Sequence, residues 1–124
     1  MIAFLWVCLG SALGGGCRYT LSTYMAPRID GFPWAVMSIN LLGSLLIGIL
    51  AAVFSKHAPS ESLNLFLVTG ILGGFTTFST FSLEAMQLLR QEAWAAAVFY
   101  VAASVLLGIS LCIAGYFLTL RLMP

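Results

Sequence analysis

The sequence predicts an all-α membrane protein whose single domain, residues 1–124, consists of four transmembrane helices. Hydrophobic residues make up 61% of the chain and charged residues only 7%, whereas a soluble domain carries about 25% charged residues. The charges separate four apolar stretches, each long enough for a membrane helix of about 20 residues. This composition excludes a water-soluble globule and a disordered tail. A net charge of +1 without a basic cluster excludes nucleic-acid binding.

The first two predicted helices cover residues 2–24 and 33–54. A secretory signal peptide is excluded for the first, because residues 1–17 contain no Lys or Arg. Gly10 and Gly14 form a GxxxG pair, and Ser44 and Gly48 repeat the spacing in the second helix. Such pairs let helix backbones approach closely. From the sequence, helix packing and the general abundance of glycine in membrane helices explain the pattern equally well.

The third predicted helix, residues 63–89, contains a break near residues 73–77, close to the bilayer midplane. Gly73 and Gly74 precede two β-branched threonines, and all four are poor helix formers. A break frees backbone carbonyl and N–H groups, which are tolerated at membrane depth only when protein buries them or they line a polar cavity. Broken membrane helices are a recurring device for ion binding.

Phenylalanines recur at every third position beyond the break, at Phe75, Phe78 and Phe81. Such a stripe alone is more typical of packing than of function. Here it is interleaved with five hydroxyl side chains, for which a purely apolar helix face has no need. The hydroxyl residues are Thr76, Thr77, Ser79, Thr80 and Ser82.

The fourth predicted helix covers residues 93–120, and the links around it bear on membrane orientation. Lys56 and Arg121 lie on one side of the membrane in this topology, and Arg28 and Arg90 lie on the other. Because Lys and Arg bias sets orientation, an even count predicts insertion in both orientations and an antiparallel homodimer. A flat count by chance is the alternative.

The segment GGFTTFSTFSLE, residues 73–84, resembles the signature GGxTTFSTFSxE of the CrcB/Fluc family of bacterial fluoride channels. Asn40 in S-I-N-L-L-G and Arg18 in G-C-R-Y are further matches, and the resemblance covers the whole chain. It implies a fluoride-selective channel in the bacterial inner membrane, through which fluoride leaves the cytoplasm passively and the cell is protected. It also implies a dual-topology homodimer with two antiparallel pores and a structural sodium ion at the two-fold axis.

The resemblance also implies roles for individual residues. Uncharged donors from Asn40 and the hydroxyls suit an anion, and a Phe ring presents a positive edge. Arg18 is expected in an anion-concentrating vestibule, with snorkelling to the headgroups as the alternative. The implied fluoride pore consists of Asn40, Phe78, Phe81, Ser79, Thr80, Tyr100 and Ser104, and the implied sodium ligands are the backbone carbonyls of Gly73 and Thr76.

Two residues have no assigned role at this point, and other classes of protein are alternatives to the channel. Gly108 stands where the family often has a second hydroxyl one turn beyond Ser104, and the role of Glu84 is unassigned. A small four-helix multidrug/proton antiporter needs a titratable acid in the membrane, and the first helix contains none. A structural membrane subunit stays possible. Catalysis is not expected, since the only histidine, His57, lies in a link and no acidic pair lies in the helices.

Adding two lysines to the link at residues 55–62 is expected to force one orientation and abolish function, because the balanced charge count would be lost. Co-expression with an oppositely biased copy is expected to restore function, measured as ion efflux from vesicles. Full activity of the singly biased protein alone would contradict the antiparallel dimer.

Overall fold

The computed structural model describes residues 1–25 and 31–123, and all regular structure within these ranges is helical. Pro27, Arg28 and Asp30 of the first link lie outside the described residues. The elements in order are α1 (Ile2–Met25), α2 (Trp34–Lys56), α3 (Glu61–Asn64), a π-helical segment (Leu65–Leu72), α4 (Gly73–Phe75), α5 (Phe78–Arg90) and α6 (Trp94–Leu122).

Four segments of the described chain are long and apolar enough to cross a membrane. They are α1, α2, the stretch Glu61–Arg90 and α6, with 24, 23, 30 and 29 residues. Each exceeds the length of about 20 residues that a bilayer core requires. The prediction of four membrane-spanning helices is confirmed, and the observed ends lie within two residues of the predicted ones.

The stretch Glu61–Arg90 contains two residues with extended backbone. Thr76 has φ −82° and ψ 158°, and Thr77 has φ −152° and ψ 119°. Helix α4 therefore ends at Phe75 and α5 begins at Phe78. These two residues let the chain change its packing partner between α4 and α5.

Helix α1 packs against the first half of this stretch through its glycines. A Cβ on Gly10 would lie 2.8 Å from the Cα of Gly70, and a Cβ on Gly14 would overlap the carbonyl oxygen of Ile71. Gly10 and Gly14 are buried. The interpretation of the GxxxG pair as a packing surface is confirmed, because backbone meets backbone at both positions.

Helices α2 and α6 form the second close pair. A Cβ on Gly48 would overlap the carbonyl oxygen of Cys112, and one on Gly115 would lie 2.6 Å from the carbonyl oxygen of Leu45. Glycines on both helices thus permit this contact. Helix α5 packs on α6, and Phe81, Leu88 and Tyr100 belong to the main buried core.

Replacing Gly14 with alanine is expected to destabilise the protein by about 1–3 kcal/mol, because the new methyl group overlaps the Ile71 backbone. Gly16→Ala is the matched control on the same helix, since a Cβ there meets nothing within 4 Å. The control should be neutral or stabilising by up to about 1 kcal/mol through helix propensity. Denaturant unfolding in detergent micelles measures both, and equal stabilities would contradict the packing account.

Candidate functional site

An open cavity of about 400 Å³ lies where the extended residues face α2 and α6. It combines backbone outside helices, an amide, hydroxyls and two aromatic rings in a membrane protein. The residues from which the site is built are Asn40, Ser44, Gly73, Thr76, Thr77, Phe78, Phe81 and Ser104. Six of the residues that the resemblance singled out thus line one cavity: Asn40, Gly73, Thr76, Phe78, Phe81 and Ser104.

The side chain of Asn40 bonds both backbone polar groups of Thr77. Asn40 Nδ2 donates to the Thr77 carbonyl oxygen at 3.0 Å, and the Thr77 N–H donates to Asn40 Oδ1 at 2.9 Å. The amide orientation is fixed, because the Thr77 N–H requires an acceptor. One of the two Asn40 N–H donors is therefore engaged within the protein and one is left for the cavity.

Thr77 is also the N-cap of α5. Its Oγ1 accepts from the Thr80 N–H at 3.2 Å and donates to Thr80 Oγ1 at 3.0 Å. The Ser79 hydroxyl oxygen lies 3.3 Å from Thr77 Oγ1. Thr77 is buried, with 8% exposure, and all its polar groups are engaged. The start of α5, which carries Phe78 and Phe81, is thereby fixed.

These bonds take amide donors away from two backbone carbonyls. In a continuous helix the Thr77 N–H would serve Gly73 and the Thr80 N–H would serve Thr76. Both amides instead bond side chains, of Asn40 and of Thr77 respectively. The Gly73 and Thr76 carbonyls lose their helical donors, and no other described residue donates to them.

Arg18 reaches the same region from α1. Its Nε donates to the carbonyl oxygen of Gly74 at 3.1 Å. A cation near the C-terminal end of a helix is favourable because of the helix dipole. Arg18 also lines a second cavity of about 210 Å³ together with Thr77 and Thr80. Thr77 thus lies between the two cavities.

The two phenylalanines differ in exposure. Phe78 is 78% exposed and Phe81 is 8% exposed, although both line the 400 Å³ cavity. Their ring centroids lie 5.6 Å apart, and the Phe81 ring lies 5.1 Å from that of Tyr100. The row continues to Phe32, whose ring meets Tyr100 edge-on at 5.7 Å. The aromatic row therefore runs from the cavity into the core.

Tyr100 does not line the 400 Å³ cavity. It is fully buried, and its hydroxyl donates to Glu84 Oε2 at 2.7 Å. Glu84 lines a third cavity of about 250 Å³ with Trp34 and Gln87. Glu84, whose role was unassigned from the sequence, thus forms a hydrogen bond with a residue of the aromatic row.

Ser104 presents a buried hydroxyl that has no hydrogen-bond partner within the described part of the chain. It lines the 400 Å³ cavity, so the unpaired donor is available there. One turn further along α6, a Cβ on Gly108 would lie 3.4 Å from Ser44 Oγ. The hydroxyl of Ser44 on α2 therefore approaches the position at which α6 lacks one.

The chain is similar in sequence to a known family over most of its length. A family model described as "CrcB-like protein, Camphor Resistance (CrcB)" matches residues 5–116. The chain belongs to the CrcB family. Two relatives named "Fluoride-specific ion channel FluC" come from Methylobacterium sp. (strain 4-46) and Erythrobacter litoralis. The first is 53% identical over 111 residues, 89% of this chain and 90% of the relative. The second is 45% identical over 126 residues, 96% of this chain and 93% of the relative.

A third relative with the same name, from Agrobacterium fabrum, is 41% identical over 118 residues. The aligned region covers 93% of this chain and 94% of the relative. Together with the four membrane-spanning helices, these matches make the CrcB chain a multi-pass bacterial membrane protein.

The sequence reasoning missed the part played by Thr77 in this CrcB site. A threonine directly before a helical segment is a typical N-cap residue, but the interpretation of the segment as phenylalanines interleaved with five hydroxyls did not assign this role to Thr77. The bond from Arg18 to the Gly74 carbonyl was also missed, and only the tertiary structure shows it.

Replacing Ser104 with alanine is expected to leave folding stability unchanged or to raise it by up to about 1 kcal/mol. The hydroxyl is buried without a partner, so its removal relieves an unsatisfied polar group. Thr77→Ala is the contrasting variant and should cost about 0.5–2 kcal/mol through loss of the cap. Denaturant unfolding in micelles measures both. A large loss for Ser104→Ala would reveal a partner for its hydroxyl.

Proposed function

We propose that this chain is a fluoride-selective ion channel, which lets fluoride leave the cytoplasm passively across the inner membrane and so protects the cell. The observation that carries the proposal is the 400 Å³ cavity, where uncharged donors meet two aromatic rings. Relatives named as fluoride-specific ion channels support the choice of ion.

The donors suit an anion that must both enter and leave. The remaining Asn40 N–H and the unpaired Ser104 hydroxyl replace water without adding a fixed charge. A lysine or arginine at the same place would bind the anion more tightly and slow its exit, because conduction requires weak sites. The half-buried Arg18 beside the second cavity supplies positive charge near the path rather than in it.

Phe78 and Phe81 extend the path by their ring edges. The edge of an aromatic ring is electropositive, so it can stabilise a partly dehydrated anion. Tyr100 and the hydroxyls of Ser79 and Thr80 complete the proposed path. Tyr100 acts from behind Phe81, since its hydroxyl is engaged with Glu84.

The active form in this proposal is an antiparallel homodimer with two pores. One copy leaves Gly73 exposed, and a carbonyl without its helical donor at membrane depth favours a covering partner. The balanced loop charges support insertion in both orientations. In this assembly the extended residues lie near the bilayer midplane and break the third transmembrane helix.

A structural sodium ion at the two-fold axis fits the backbone of this chain. The carbonyls of Gly73 and Thr76 have lost their helical donors, and oxygen ligands suit a hard cation. Two carbonyls from each copy would give four ligands. The ion would supply fixed positive charge that stabilises the dimer, whereas the anion path is formed by side chains.

The same site argues against the alternative functions. A proton-coupled antiporter requires a titratable group on the transport path, and the 400 Å³ cavity of the described chain is lined by none. An enzyme requires a nucleophile beside a base, or a metal bound by several ligands, and the lining of the 400 Å³ cavity in the described chain includes no His, Cys, Asp, Glu or Lys. The channel names of the relatives also favour conduction over catalysis.

Phe78→Ile and Phe81→Ile are expected to fold and dimerise, because apolar exchanges of similar volume usually cost under about 1.5 kcal/mol. Both should lose most fluoride efflux, since the electropositive ring edge is gone. A fluoride electrode measures the efflux from loaded proteoliposomes.

Phe117→Ile is the matched control, because Phe117 is 63% exposed on α6 and does not line the cavity. It should conduct as the unmodified protein does. Normal efflux from both cavity variants would show that the phenylalanines serve packing. Absence of fluoride efflux from the unmodified protein would overturn the proposed function itself.

A further inference from the structure

We propose that Asn40 acts as a positioning residue for the start of α5, and that this role is separate from any direct contact of Asn40 with the anion. The inference rests on the proposed function for its flux measurement. Its structural content is that Asn40 fixes Thr77, and through Thr77 the rings of Phe78 and Phe81.

The hydrogen bonds carry the argument. Both backbone groups of Thr77 lie outside the helical pattern, and the single side chain of Asn40 satisfies both, at 3.0 and 2.9 Å. Unsatisfied backbone groups are costly at membrane depth. The amide matches this pair of groups because it supplies a donor and an acceptor from two neighbouring atoms, whereas a shorter hydroxyl supplies both from a single atom.

The consequence for the rings follows from their place in the chain. Thr77 immediately precedes Phe78, and its hydroxyl caps the first turn of α5 by accepting from the Thr80 N–H. A shift of Thr77 therefore shifts the whole first turn, including Phe81 on its buried side. The 5.6 Å separation of the two rings is maintained by the helix itself, whereas their place in the cavity depends on Thr77.

The carbonyl pattern gives a second consequence of the same contact. Because Asn40 Oδ1 accepts from the Thr77 N–H, that amide does not serve the Gly73 carbonyl. Without Asn40 the Thr77 N–H would regain Gly73 as its nearest helical acceptor. Asn40 thus opposes closure of α4 and α5 into one continuous helix.

The test removes the Thr77 N–H without altering any side chain. Incorporating the α-hydroxy acid analogue of threonine at position 77 replaces the amide by an ester. If Asn40 acts through Thr77, this change should lower fluoride efflux from proteoliposomes by about tenfold, in the direction of Asn40→Ala. If Asn40 serves only as a direct donor to the anion, the ester should leave efflux unchanged.

A double-mutant cycle separates this effect from a weakened Thr76 carbonyl, which the ester also alters. In the Asn40→Ala background the ester should lower efflux by less than about twofold, because the bond it removes is already absent. Full additivity of the two changes would overturn the proposal. The ester at Leu83 is the matched control, since Leu83 lies within α5 and outside the cavity. It should keep efflux near normal.

A structural signal keeps the proposal testable if a variant conducts poorly for other reasons. A 4-fluorophenylalanine label at Phe81 should show the same change in ¹⁹F chemical shift in Asn40→Ala, in the Thr77 ester and in the milder Asn40→Ser. An unchanged shift in all three would overturn the positioning role. If the unmodified protein carries no fluoride while the labelled variants show these changes in chemical shift, the proposed function is refuted and the positioning role is supported.

Discussion

The structure depends on how two extended residues are satisfied inside an apolar, membrane-spanning stretch. Thr76 and Thr77 interrupt the helical pattern between α4 and α5, and lipid offers no hydrogen bonds in return. Two other helices supply the partners. Asn40 of α2 bonds Thr77, and Arg18 of α1 bonds the neighbouring carbonyl of Gly74. The interruption is therefore stable only in the folded bundle.

The change of packing partner and the cavities both follow from this arrangement. Glycines bring α1 against the chain before the interruption, and α5 afterwards packs on α6. The 400 Å³ cavity lies where the extended residues face α2 and α6, and Thr77 separates it from the cavity beside Arg18. The bonds that stabilise the interruption also release the carbonyls of Gly73 and Thr76, so the proposed cation site and anion path have one origin.

Composition and spacing were sufficient for much of the fold, whereas the candidate site residues came from the resemblance to the family. The lengths of the apolar stretches predicted four helices, whose ends lie within two residues of the observed ones. The spacing of Gly10 and Gly14 predicted a helix-packing surface, and both glycines contact another backbone. The roles of Asn40 and Tyr100 were not accessible in this way. The sequence shows a donor group but not its partner, and the bonds of Asn40 to Thr77 and of Tyr100 to Glu84 are set by tertiary packing.

Amide hydrogen exchange at Thr77 measures directly whether the extended segment is closed by its hydrogen bond to Asn40. Thr77 lies outside both helices, so its amide would exchange quickly if the extended segment were merely a gap open to water. We expect exchange in lipid nanodiscs to be as slow as that of the core of α5, because the N–H is buried and bonded to Asn40 Oδ1 at 2.9 Å. Fast exchange at Thr77 in the folded protein, beside slow exchange in α5, would contradict it.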